Sequence, residues 1–175
     1  MRARALRRRA QGNSGASTAC GGSHLIAIAV ILIAWGAVVP AGADGLFVKV
    51  TATPIDFGPI YAGETFTGMA TIIVTAPGGL NFRVALDRGF HFFGGVRHLK
   101  RNIGAEVIPY SLYSDAGCTL ALGDAGFGDT FPAGSSVTGT GIGRAQLITI
   151  YARLTVPAPA PPGLYLDSIM VSVIY

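Results

Sequence analysis

His91 and His98 share one segment with Asp87 close by, the residue types that hold a transition metal. Zinc centres use more ligands in tighter pairs, so this spacing reads as loop histidines. GTGIGR at 139–144 has glycines spaced like a phosphate-cradling loop. It leads into a strand, so no helix N-terminus stands ready for phosphate. Ser111, Ser114 and Asp115 offer hydroxyls and a carboxylate, with no histidine or elbow glycine beside either serine. Asp56, Asp115 and Asp124 stand where side chains bond the backbone of turns. The reading is therefore a protein that is not an enzyme, with no catalytic, metal or cofactor-binding residue and no cofactor.

One segment does suggest a surface function. RGFHFFGGVRHLKR at 88–101 puts Phe90, Phe92 and Phe93 among glycines and basic residues. Phenylalanines capping the core beside solvated cations would explain it. An adhesive loop made of Phe90, Phe92, Phe93, Arg97, Lys100 and Arg101, facing an abiotic surface, a glycan or an anionic partner, would also explain it.

The elements that must carry these residues begin after a leader. Arg2, Arg4, Arg7, Arg8 and Arg9 precede an apolar run at 25–39, then Pro40 and an A-x-A site at 41–43. This is the pattern of a secretory signal peptide. The run has 15 residues, short of the roughly 20 that span a bilayer, so contact with the membrane is transient, during export. Domain boundaries follow: signal peptide 1–43, mature domain 44–175. The whole chain carries a net charge of +4. The leader holds five of the 13 basic residues and none of the nine acidic ones, leaving the mature part at −1. The basic balance thus belongs to targeting and gives no reason to expect nucleic acid. Cys20 lies in the leader, so Cys118 is alone in a compartment that permits disulfides.

The mature part alternates with period two between turn residues. Strands are expected in LFVKVTATP, TFTGMATIIVTA, LNFRVALDRG, VIPYSLYS, QLITIYARLTV and LYLDSIMVSVIY. Gly68 inside the second suggests a bulge or a close backbone approach, and Pro109 an edge or a bulge. Residues 89–106 read as a long loop and 117–136 as a Gly/Asp-rich excursion. In the last strand Ile169, Val171, Val173 and Tyr175 are taken as the apolar face, with Asp167, Met170, Ser172 and Ile174 outside it. The expected fold is all-β: an incomplete immunoglobulin-like antiparallel β-sandwich of about six strands. An apolar final strand with no successor is a template for another chain. The assembly edge is assigned to Leu164, Leu166, Ile169, Val171, Val173 and Tyr175.

Five stretches, in order, resemble the spore coat protein U domain family, which includes Csu-type archaic chaperone–usher pilin subunits. They are TATPIDFG at 51–58, RHL at 97–99, PYSLYSDAGCTLALGD at 109–124, TIYARL at 149–154 and PPGLYLDSIMVSVIY at 161–175. The resemblance implies a sandwich lacking its seventh strand. A periplasmic pilus chaperone supplies that strand in transit, and a neighbouring pilin subunit supplies it after passage through an outer-membrane usher. It implies a structural subunit of a cell-surface fibre, with the carboxylate of Tyr175 gripped by the chaperone. A stand-alone secreted coat or carbohydrate-binding protein, closed by its own N-terminus, is the alternative. Three positions depart from the family pattern: Leu122 replaces a tryptophan, and Val48 and a position near Ala76 replace two cysteines. Without that cross-link the sandwich forgoes about 2–4 kcal/mol.

Cleavage after Ala43 leaves only residues 44–47 ahead of Val48. A donor strand at ~3.3 Å per residue needs roughly twice that number or more; either the subunit receives a strand without giving one, as at a fibre tip, or Leu46–Ala52 itself plays a donor-like role, or cleavage falls elsewhere. N-terminal sequencing of the exported protein should read Asp-Gly-Leu-Phe from Asp44; a start well upstream ends the receiver-only expectation.

Overall fold

A computed structural model of the chain describes residues 26–35, 47–125 and 134–175. The arginines at 2–9, Cys20, the cleavage site at 41–43 and the middle of the 117–136 excursion lie outside these residues. The strands are β1 (Ile26–Trp35), β2 (Lys49–Ala52), β3 (Ile55–Ile60), β4 (Thr65–Thr75), β5 (Asn81–Leu86) and β6 (Phe92–Phe93). They continue with β7 (Val96–Arg101), β8 (Val107–Tyr113), β9 (Val137–Thr140), β10 (Ala145–Thr155) and β11 (Gly163–Ile174). No helix occurs among the described residues.

The long strands follow from alternation. In β10 Ile150, Ala152 and Leu154 are buried while Arg153 is exposed; in β8 Ile108, Tyr110 and Leu112 are buried around exposed Pro109. β4 and β10 pair over their full length in one unbroken register, Thr65 to Thr75 against Thr155 to Ala145. Gly68 therefore marks a close approach rather than a bulge. A Cβ there would lie 2.8 Å from Ile55 Cγ2 and 3.1 Å from the Phe57 ring, because β3 crosses β4 at that point. The backbone of Pro109 is accommodated at the end of a pairing. The β10 register with β8 stops at Tyr110. His98, opposite Pro109, sends its N–H to His91 O at 3.0 Å, away from β8. Opposed residues in such a pair face away from each other, so the imino nitrogen of Pro109 meets no strand.

The hydrogen-bonded path is β2-β4-β10-β8-β7-β11-β1-β3, with β5 and then β9 branching from β11, and β6 paired to β7. It doubles over, since β3 at one end packs on β4 near the other, and encloses a core that includes Ile55, Ile72, Leu86, Leu99, Ile108, Leu112, Ile150 and Ile169. The architecture is all-β and immunoglobulin-like; among the named strands the pairings are antiparallel except that of β1 with β11, and an isolated bridge between Leu122 and Ser135 is parallel.

The count of about six strands was too low. β3 is short and holds Gly58 and Pro59. β9, VTGT, has no apolar face to betray it. The expected loop at 89–106 contains the β6–β7 hairpin, turned at Gly94 and Gly95 with φ of +59° and +79°, as a two-residue hairpin turn requires. β7 hid because Arg97, His98 and Leu99 are buried in succession rather than alternately.

Candidate strand-acceptor groove and its loop

β11 is the strand on which the candidate site is built. On one edge it pairs with β7 at Tyr165–Leu166 and with β5 at Val171–Ile174. On the other it pairs with β1 along ten residues, Ile26 opposite Gly163 through Trp35 opposite Ser172. β1 in turn is the hydrogen-bonded neighbour of β3, with Ile26 opposite Ile60 and Val30 opposite Ile55. The run expected to be the apolar core of a leader thus occupies a slot between β11 and β3. Apart from β1, the slot is bounded by two strands that do not pair with each other.

The assembly-edge residues divide between two faces. Ile169, Val171 and Val173 are buried, Leu164 is exposed, Leu166 is half-buried and Tyr175 is exposed at the end of the strand. Tyr165, fully buried and absent from the expected edge, continues the inward row toward the N-terminal end. Asp167 belongs to that inward row as well, and its place outside the apolar face is corrected. It shares the parity of Tyr165 and Ile169, and it is 1% exposed. A carboxylate can be buried here because it is bonded on both oxygens. Tyr110 Oη donates to Oδ2 at 2.6 Å. The His91 N–H donates to Oδ1 at 3.1 Å, and His91 Nδ1 lies 3.0 Å from the same oxygen. An ionised carboxylate only accepts, so His91 carries its proton on Nδ1. Burial, and next the charge of Asp167, push the Tyr110 phenol well above its ordinary range.

The segment from Asp87 to His91 hangs from β11 by further bonds. Asp87 N donates to Met170 O at 3.1 Å, Met170 N to Asp87 Oδ1 at 3.0 Å, and Phe90 N to Ser168 O at 3.0 Å. Gly89 permits the approach. Its φ is +78°, and a Cβ would stand 2.5 Å from Asp167 Oδ2, which no side chain tolerates.

The expected adhesive loop is only partly at the surface. Phe90 is 81% and Phe93 53% exposed. Phe92 is half-buried and Lys100 exposed. Phe93 stacks on His98 at 3.7 Å between ring centres. Arg101, half-buried, pairs with Glu106 at 3.4 Å and donates to Pro162 O at 2.6 Å. Arg97 is corrected from surface cation to core residue: it is 1% exposed. Its guanidinium donates to the carbonyls of Leu86, Asp87 and Leu122, at 2.9 Å to each of the three. Burial lowers its pKa, opposed by Tyr110 and by the charges of Asp87, Asp124 and Asp167. One side chain thereby ties β7 to the ends of β5 and to the start of the excursion.

The other residues weighed in the sequence have structural places. Asp56 accepts the Gly58 N–H at 2.8 Å, and Asp115 accepts from Thr119 and Leu120. Gly141 and Gly143 send their N–H groups to the carbonyls of Leu80 and Ala76. Cys118 is a free, buried thiol. Among the described residues no group of three or more His, Cys, Asp or Glu side chains could hold a metal ion.

A partly self-closed immunoglobulin-like sandwich with a strand slot beside its last strand defines the class. The family profile of the Spore Coat Protein U domain matches residues 47–172. The chain belongs to the spore coat protein U domain family. Among solved structures it is similar to a chain of the CsuC–CsuE chaperone–tip adhesion subunit pre-assembly complex from the archaic chaperone–usher Csu pili of Acinetobacter baumannii. The TM-score is 0.50 at 10% identity, covering 74% of this chain and 40% of that one. At that identity the likeness concerns the fold, and the chain spans well under half the length of its neighbour. No curated protein matches it in sequence.

Replacing Tyr110 with Phe removes the donor to Asp167 Oδ2, leaving a buried acceptor short of a partner. Unfolding in urea at neutral pH should show a loss of about 1–3 kcal/mol. The Tyr110 proton is held more tightly when folded, so its contribution is complete below the ordinary tyrosine value, near 10. It is lost as pH rises toward the folded value. The wild-type chain should therefore lose stability above about pH 10 more steeply than the Phe variant; equal slopes would contradict the assignment.

Proposed function

We infer that this protein is a non-enzymatic structural subunit of a secreted surface fibre, completed by a strand from outside. It is exported by its leader to the periplasm and carried by a pilus chaperone to an outer-membrane usher. It then joins neighbouring subunits by donor-strand complementation at the cell surface. The observation that carries the reading is the identity of β1. The strand lying along β11 is the segment whose sequence reads as a removable leader. Its removal leaves one whole edge of β11, and the hydrogen-bonding edge of β3, without a partner. Buried backbone groups must be paired, so the exported domain needs another strand in that place. Membership of the family supports this reading. The short segment left before β2 favours a receiving subunit at the tip.

A second reading draws on the same observation. If residues 26–35 are retained, the chain closes its own slot and is a stand-alone secreted coat or carbohydrate-binding protein. Expressed from Asp44 onward, the chain should aggregate alone. It should become soluble and cooperatively folded with its cognate chaperone or with a peptide of sequence IAIAVILIAW. A soluble, cooperatively folding monomer without either would overturn the fibre reading.

Exposed Phe90 and Phe93 support an adhesive role for the loop, toward abiotic or glycan surfaces. Changing Phe90 and Phe93 together to Ser should lower attachment of assembled fibres several-fold with fibre yield unchanged; wild-type attachment would remove the role.

A further inference from the structure

Between its two flanking ladders β11 has a gap. Pairing with β7 ends at Leu166 and pairing with β5 begins at Val171. Across residues 167–170 the strand is held on one edge by the loop and on the other by β1, whose Val30, Ile31, Leu32 and Ile33 stand opposite Asp167, Ser168, Ile169 and Met170. The backbone groups of Ser168 and Met170 turn toward the loop, bonded to Phe90 and Asp87. Those of Asp167 and Ile169, alternating with them, turn toward β1. The Asp167 side chain then reaches back to His91.

We propose that filling of the strand slot and docking of the aromatic loop are one coupled event, transmitted through residues 167–170 of β11. With the slot empty, these four residues lack the strand that fixes their extended backbone, and the loop has no rigid rail to bond. With the loop released, the same residues lose their other edge, and the incoming strand meets a looser acceptor. Docking also builds a cleft of about 490 Å³ lined by Arg88, Phe90, Phe92, Ser168, Ile169 and Met170. That cleft and the Phe90 surface take this form only on a filled slot. Given the fibre reading above, on which the biological consequence rests, a subunit would present its aromatic surface in this form only once a strand has been accepted.

The test uses the full 175-residue chain, which supplies its own strand. Adjacent N–H groups of a strand face opposite edges, so at least one of Ile31→Pro and Leu32→Pro deletes a bond from β1 to β11. Hydrogen exchange of single amides should show Phe90, His91 and Asp87 losing protection at least tenfold together with Ile169, while Leu112 and Ala152 in β8 and β10 keep theirs. Conversely, His91→Ala should speed exchange at the Asp167 and Ile169 amides, which face β1. That variant decides the matter if both proline variants unfold altogether. Loop amides at wild-type rates beside a loosened β11, or unchanged β11 amides in the His91 variant, would overturn the coupling. Either result leaves the chaperone experiment on the chain from Asp44 standing by itself.

Discussion

Everything in this fold depends on β11 having a partner on both edges. The strand runs through the centre of one layer, and its inward row, Tyr165 through Val173, is buried. Peptide groups in that setting cannot turn to water instead. Each backbone hydrogen bond contributes about 1 kcal/mol net, but a buried group left unpaired costs more than that. Filled, the slot beside β11 joins β3 to the sheet and lets β3 lie on β4 at Gly68.

Among the described residues Arg97, His98, Asp124 and Asp167 are buried polar or charged side chains, and two of them, Arg97 and Asp167, work as ties across the interior. Arg97 gathers the carbonyls of Leu86, Asp87 and Leu122, where β5 ends and no ladder continues. Asp167 gathers Tyr110 of β8 and His91 of the loop. Desolvating such groups is costly, and complete hydrogen bonding offsets it. Both ties lie where regular pairing breaks, so they fix strands whose backbones alone would leave the position open. The same economy shows at the start of the domain. Val48 and Ala76 lie one residue beyond the Lys49–Thr75 pair of β2 and β4. Two cysteines there would stand side by side; here the β2–β4 pairing and the Gly143 N–H donated to Ala76 O hold that corner.

The sequence by itself determined the class of fold and most of its long strands. Alternation in β4, β8, β10 and β11 is a local property: one buried face forces every second residue apolar. Gly68 and Pro109 were legible for the same reason, as local anomalies in a regular pattern. The resemblance in five short stretches pointed to the family that the profile match then established. What the sequence could not carry were contacts between distant segments. Arg97 looked like a surface cation because nothing near it in the chain announces three carbonyls waiting from residues 86, 87 and 122. Asp167 looked like an outward residue because its partners are 57 and 76 positions away. The β6–β7 hairpin has too few residues, and β7 too many charges, for periodicity to register. The apolar run that contains residues 26–35 reads as a leader from its composition and from the arginines and A-x-A site that flank it. Only tertiary pairing decided that the same run fits beside β11, because hydrogen-bond register is fixed by the geometry of the two facing edges and by nothing in either segment alone.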